Sequence, residues 1–405
     1  MVQTTYIVLL SLAAAASCFD GSELDHTGCP KAFGGLCSCG YSWYKAWKPD
    51  GKVFMTNCTN TGFTDANKLQ YVPGETEVLI FQGNTIRQLS WDMIWKNRTE
   101  LQVIDLSNNR IQEMQGIAFN QIPWVKILIL NDNELRVGSS MNQSRIFSNF
   151  VQNFVNLEEL HLTNAFAEQV DSKWSLTDLK NIFLSSQLRK LQKLHLEQNR
   201  IWEIKDKDMF CDLPALLDIH LGDNQLTDIS FSLDCLERLR YVDLSYNKFR
   251  NIKQSTLNLI DKVFAGTDKK IDLHGNPFHC DCEMNELYDW LRTKTERDFL
   301  ANKREMRCYD GFPDVNSGKR IVNIDVLQCA PMKVHRYDPT ATSHYAITST
   351  LLTILILVTT TLLLVVLWIN RITVKEKFSP LIENFKTSLQ YSTLEKQEET
   401  PEVHV

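Results

Sequence analysis

One spacing of residues recurs along the chain and decides what it can fold into. An apolar residue is followed three places on by a second and two places later by a third. Asn comes three after that, and another apolar residue two further on. It reads LQVIDLSNNRI at 101–111, LQKLHLEQNRI at 191–201, LLDIHLGDNQL at 216–226 and LRYVDLSYNKF at 239–249. TEVLIFQGNTI (76–86), VKILILNDNEL (125–135) and DKKIDLHGNPF (268–278) each carry one weak position, and LEELHLTNAFA (157–167) has Ala165 in place of Asn. The alternating apolar residues fit a short strand with one buried face. The Asn amide can pair backbone groups that the following turn would bury at a cost of about 1 to 3 kcal/mol each. A buried column of Asn84, Asn109, Asn133, Asn199, Asn224, Asn247 and Asn276 is therefore expected.

This is the leucine-rich repeat, and it implies an α/β leucine-rich repeat solenoid of about eight repeats with a concave parallel sheet. The Asn positions recur at nearly even intervals that widen on both sides of Ala165 and, to a lesser degree, before Asn276. The excess around Ala165 places a central insert at 136–188, polar at 138–144 and with helical apolar spacing at 175–188, where Ser175 or Thr177 would cap a helix.

Two apolar segments set the compartment. Tyr6 to Ala16 ends in small residues and reads as the core of a signal peptide over 1–18. Residues 346–369 carry no formal charge, a longer run than the roughly 20 a transmembrane helix needs. Arg371, Lys375 and Lys377 follow, which puts the cytosol on the C-terminal side: a plasma-membrane protein, single-pass type I, with its N-terminus extracellular. The order is then a cysteine cap (19–75), repeats (76–275), a second cysteine cap (276–330), a stalk (331–345), the span and a cytoplasmic tail (370–405). Cleavage after Cys18 would leave an even number of cysteines, and an exported chain keeps such clusters as disulfides. Cys-x-Cys without a flanking His at finger spacing argues against zinc in these clusters. Cys211 and Cys235 lie one repeat apart, although they are offset by one place relative to Leu213 and Leu236. A net charge of -6 without a basic stripe argues against nucleic acid.

With its two caps, interrupted middle, single span and short tail, the chain resembles the trophoblast glycoprotein, or Wnt-activated inhibitory factor, family of leucine-rich repeat membrane proteins, as a divergent member. The resemblance is strongest from Leu157 to Cys329 and includes the Asn-less repeat after LEELHL, the insert before LQKLHL and the cap CDCEMNELYDWLRTKTE. It departs in the wide spacing between Cys39 and Cys58 and in a tail ending Val403, His404, Val405. The resemblance implies disulfides Cys29 with Cys39, Cys37 with Cys58, Cys280 with Cys308 and Cys282 with Cys329. It also implies an extracellular protein ligand or membrane co-receptor, Wnt-pathway components among the candidates. A cell-adhesion or guidance receptor is the alternative.

Catalytic motifs are absent: there is no Gly-x-Ser-x-Gly, no His-Glu-x-x-His and no phosphate loop, so neither an enzyme nor a cofactor is expected. Binding remains. Strand alternation projects Ile80, Asp105, Ile129, His161, His195, His220, Asp243 and Asp272 from the concave sheet, followed by Gln82, Ser107, Asn131, Thr163, Glu197, Gly222, Ser245 and His274. Apolar Ile80 and Ile129 make the N-terminal part, with Gln82 and Asp105, the expected ligand surface, while the aspartates and histidines farther along are expected to be solvated. Three successive histidines invite a metal or a proton switch, but an insert could break their stack, and a polar column without metal is the simpler expectation. Asn57, Asn97 and Asn142 lie in glycosylation sequons. In the tail, Tyr391-Ser392-Thr393-Leu394 fits a sorting signal, and Val403-His404-Val405 fits a PDZ groove.

Overall fold

The computed structural model describes residues 27–89, 99–114, 118–119, 122–136, 154–168, 172–186, 188–293, 298–329 and 339–369. The chain divides after residue 330 into two compact units, each considered by itself. In the first, strands are short because each serves one coil. They are β1 (Ser38–Trp43), β2 (Lys52–Asn57), β3 (Val78–Ile80), β4 (Gln88–Leu89), β5 (Val103–Asp105), β6 (Glu113–Met114), β7 (Ile127–Ile129), β8 (Glu159–His161), β9 (Lys193–His195), β10 (Asp218–His220), β11 (Tyr241–Asp243), β12 (Lys270–Asp272), β13 (Phe278–Cys280), β14 (Leu300–Ala301) and β15 (Cys308–Gly311). Eleven form one sheet in the order β1-β2-β3-β5-β7-β8-β9-β10-β11-β12-β14. Within it only the β1-β2 hairpin is antiparallel. The central residue of each repeat strand, from Leu79 through Leu160 to Ile271, is fully buried and pairs with its counterpart in the next coil. This is a leucine-rich repeat fold.

The Asn column is present and buried, each of its members 1 to 7% exposed. Asn224 shows its chemistry. Its Nδ2 donates to the Leu196, Leu221 and Gly222 carbonyls at 2.9, 3.0 and 3.3 Å, while its Oδ1 accepts from the Asn199 and Ile201 amides at 3.0 Å. One amide thus ties its own turn to the preceding coil. The residue before each ladder position is left-handed: Gly83, Asn108, Asp132, Asn164, Gln198, Asp223, Tyr246 and Gly275 all have positive φ. Gly, Asn and Asp adopt that conformation at little cost, whereas Gln198 and Tyr246 are held in it by the coil.

Ala165 keeps the left-handed turn but cannot supply a carboxamide. The Leu135 amide, which occupies the place that elsewhere bonds a ladder Oδ1, donates instead to the Ala165 carbonyl at 2.8 Å. The Ala167 amide returns a bond to the Leu135 carbonyl at 3.0 Å, and Leu135 and Phe166 form an isolated parallel bridge. A backbone bridge therefore replaces the side chain, which makes this coil irregular.

Two of the longer repeats spend extra residues on helices. In α1 (Ser172–Ser185) Leu176, Leu179, Ile182 and Phe183 face the core. The helix begins before Ser175 and Thr177, so neither is the cap that the spacing suggested. The long interval before Asn276 contains α2 (Gln254–Phe264), burying Leu257, Ile260, Val263 and Phe264 at the same spacing.

Both ends are closed. At the C-terminus α3 (Asn285–Thr293) follows disulfides Cys280–Cys308 and Cys282–Cys329. Met284, Leu287, Trp290 and Leu291 are buried here. Trp290 donates from Nε1 to Asp261 of α2 at 3.0 Å, and β14 extends the sheet beyond β12. At the N-terminus disulfides Cys29–Cys39 and Cys37–Cys58 brace the β1-β2 hairpin, and the rings of Phe33, Phe63 and Phe81 run from cap to first coil. A fifth disulfide joins Cys211 and Cys235 with Cα atoms 5.5 Å apart, beside the packed rings of Phe210 and Phe231. The second unit contains α4 (Pro339–Ile369), in which Thr348–Val366 is long and apolar enough to cross a bilayer.

Asn224→Ala orphans a set of buried backbone groups and is expected to cost roughly 2 kcal/mol in denaturant unfolding; an unchanged midpoint would contradict the ladder's role. Cys282→Ser removes a cap disulfide, a change that typically costs about 2 to 5 kcal/mol. The variant is expected to be retained inside expressing cells, and full surface delivery would show that the cap tolerates an open end.

Candidate functional site

The concave face is two surfaces. Over β2, β3, β5 and β7 it carries an apolar cluster that is already covered. The segment joining β1 to β2 turns at Tyr44, whose carbonyl accepts from the Trp47 and Lys48 amides at 3.1 and 3.0 Å. Tyr44 and Trp47 pack on a cluster of Val53, Val78, Val103 and Ile127, none more than 6% exposed. Lys48 reaches Glu77 at 3.6 Å, and the Lys126 ammonium stands 5.1 Å from the centre of the Trp47 ring while pairing with Glu158 at 3.2 Å. Burial first, then the carboxylates of Asp105 and Glu159, push the Tyr44 phenol above its ordinary value. The strap thus spans several strands.

The strap bears on the expectation for Ile80 and Ile129. Both do face the concave side, but they are half-buried against the strap's cluster instead of forming a free apolar patch. The long connection between Cys39 and Cys58 supplies the cover. Gln82 and Asp105 are half-exposed, and Asp105 accepts from the Ser107 amide and hydroxyl at 2.9 and 2.5 Å.

From β8 onward the face is polar, and its histidines stack. The rings of His161, His195 and His220 lie 4.1 Å apart, centre to centre, within 9° of parallel, and the Tyr241 ring follows at 5.5 Å. The insert does not break the column, because β8 pairs in register with both β7 and β9. Two carboxylates hold it. Glu159 meets His161 Nε2 at 3.2 Å and Lys193 Nζ at 2.6 Å. Glu197 meets His195 Nδ1 at 2.9 Å and His220 Nδ1 at 3.8 Å, and accepts from Thr163 Oγ1 at 2.8 Å. The hydrogen bond from His161, with Lys193, outweighs burial and holds the Glu159 carboxyl down to about 2. Burial raises Glu197, but the bonds from His195 and Thr163 more than offset it and leave a net lowering. Burial, then the charge of His195, lowers His220 against the pull of Glu197, Asp243 and Asp218. Burial and the surrounding aspartates raise the Tyr241 phenol.

The aspartates farther along are less solvated than strand alternation suggested. Asp272 is 2% exposed, bonded to His274 at 2.7 Å and to Asn302 at 2.6 Å. Asp243 accepts from the Ser245 amide and hydroxyl, and a side chain at Gly222 would collide with it. The tie between a strand's outward residue and the residue two places on recurs from Asp105 to Asp272; an alternation pattern lacks that information. Asn57 lies on β2 opposite Ile80, its Oδ1 accepting from Thr59 of its own sequon at 2.6 Å. Asn97, Asn142, Tyr391, Leu394, Val403 and Val405 lie outside the described residues.

A sheet built from one strand per coil, an internal Asn ladder and disulfide-braced ends define a capped leucine-rich repeat protein. Residues 189–249 match the leucine rich repeat family model. The chain is a divergent relative of trophoblast glycoprotein: it is 23% identical to that of Macaca fascicularis over 68% of this chain. It is 28% identical to fibromodulin of Gallus gallus over 52% of this chain. Each alignment spans 63% of the relative. The crystal structure of human trophoblast glycoprotein, also titled Wnt-activated inhibitory factor 1, superposes with a TM-score of 0.59 at 21% identity, covering 73% of this chain and 98% of that one. None of these matches is to a catalytic family.

Because Glu159 is held below its ordinary 4.5 when folded, its contribution to stability is present above that pH and is lost as pH falls toward about 2. Glu159→Gln is expected to lower the thermal midpoint at pH 7 and to converge with the parent as the solution is acidified through this window. Equal midpoints at pH 7 would show that the ion pairs add nothing.

Proposed function

We propose that the chain is a single-pass type I cell-surface glycoprotein that binds an extracellular protein ligand or membrane co-receptor at the N-terminal end of its solenoid and modulates Wnt signalling. The observation that carries this reading is a set of large apolar side chains left in solvent by the N-terminal cap. Tyr41 is 70% exposed, Trp43 55% and Leu36 58%. Tyr41 and Trp43 lie on β1, the terminal strand of the eleven-stranded sheet, and Tyr41 is braced edge-on by Phe54 at 5.4 Å. Rigid exposed aromatics of this kind anchor protein interfaces, where a few desolvated side chains supply most of the affinity. With Ile80 and Ile129 packed against the strap's cluster, these residues take over the apolar anchoring role, and Gln82 and Asp105 are half-exposed farther along the same sheet.

The apolar stretch of α4 and the Arg371, Lys375 and Lys377 that follow it support an outside N-terminus, with Val403 and Val405 available to a cytosolic PDZ domain. The likeness to human trophoblast glycoprotein, whose structure is also titled Wnt-activated inhibitory factor 1, supports the Wnt assignment. In transfected cells the parent chain is expected to shift a Wnt reporter, and the pair Tyr41→Ala, Trp43→Ala to abolish that shift at equal surface level. A reporter shift that survives the pair would move the ligand away from this end. Aggregation of expressing cells with a flat reporter would identify an adhesion molecule instead.

A further inference from the structure

The geometry points to a divalent transition-metal site of the kind Zn2+ occupies, formed on the concave sheet by His195, Glu197 and His220. One ligand atom from each of the three lies within 4.8 Å of the other two. Both imidazoles turn Nδ1 toward the same Glu197 oxygen, at 2.9 and 3.8 Å. Two imidazole nitrogens and a carboxylate are a donor set suited to Zn2+, Ni2+ and Cu2+, and poorly suited to Mg2+ or Ca2+, which take oxygen.

Three features go beyond chance proximity. The strands fix the spacing: His195 and His220 are register partners on β9 and β10, and Glu197 lies two residues beyond His195. The carboxylate is oriented from behind, because the Thr163 hydroxyl donates to its second oxygen at 2.8 Å. Outer hydrogen bonds of this kind conserve ligand geometry in metal sites. His161 backs the other side of the His195 ring at 4.1 Å while keeping its own partner, Glu159.

The three side chains are half-buried, with 18 to 20% of each exposed, so the remaining coordination positions face solvent. That is the arrangement of an open site, able to take water or a carboxylate or imidazole of a bound partner. Ligands about 2.0 to 2.1 Å from one tetrahedral ion stand about 3.3 to 3.4 Å apart, so binding draws His220 in from 3.8 Å and opens the 2.9 Å contact between His195 and Glu197. The ion takes the place of the direct contact between His195 Nδ1 and Glu197, and any proton shared there is released to solvent.

The test is a Zn2+ titration of the full chain, purified in detergent with a tag free of histidine and stripped with chelator, read by calorimetry and by competition with a zinc dye. A single ion is expected to bind. His195→Ala and His220→Ala are each expected to weaken it at least about tenfold, the loss of a metal ligand. Glu197→Gln, which keeps the shape of the side chain, is expected to do the same. His274→Ala, which alters a concave histidine paired with Asp272 outside the cluster, is expected to leave it unchanged. Unaltered thermal midpoints show that a variant is folded. No signal at micromolar Zn2+, or equal affinity in folded His195→Ala, His220→Ala double variant and parent, would overturn the site.

Discussion

The solenoid depends on one hydrogen-bonding problem, the disposal of backbone groups where each coil turns inward from the sheet. A carboxamide solves it because it donates and accepts through one short planar side chain and so ties its own turn to the coil before it. Strand pairing, the buried central residue of each strand and the left-handed residue before each Asn all follow from repeating that tie. Ala165 defines the requirement more closely. What the fold needs there is an acceptor for the Leu135 amide, and a backbone carbonyl serves when the local path allows a bridge.

Coverage of the concave sheet is the second determinant. A strand of alternating pattern buries one face in the core and offers the other to solvent, but Val78, Val103 and Ile127 are apolar on the offered face as well. The strap carrying Tyr44 and Trp47 meets that surplus. It leaves the His and Glu column beyond it as the open polar stretch, and it leaves Tyr41 and Trp43 outside as the exposed aromatic pair.

How much of this was legible in the sequence depended on whether the governing interaction was local. The Asn ladder and the buried strand centres repeat at fixed spacing and could be read directly. The helical spacing at 175–188 was visible too, though its start at Ser172 was not, because the residues before it carry no apolar period. The same spacing recurs at Leu257, Ile260, Val263 and Phe264, within the long interval before Asn276. The strap was illegible, since Tyr44 and Trp47 sit in an aperiodic connection and find their partners in later coils, from Val78 to Ile127. Strand alternation therefore placed Ile80 and Ile129 on the right face without showing that it was occupied. It could not show that Asp272 is paired, nor that the histidine column survives a long insert, because coil register is a property of the sheet.

The strap also makes the solenoid mechanically uneven. Where it lies, the sheet has packed side chains on both sides, and flexing it would have to open two apolar layers instead of one. Beyond β8 one side of the sheet is backed by the core and the other by a single layer of hydrogen-bonded polar groups open to solvent. The first coils therefore have no solvent-backed apolar face at the strap, whereas the histidine-bearing coils are held across the concave side by polar ties alone.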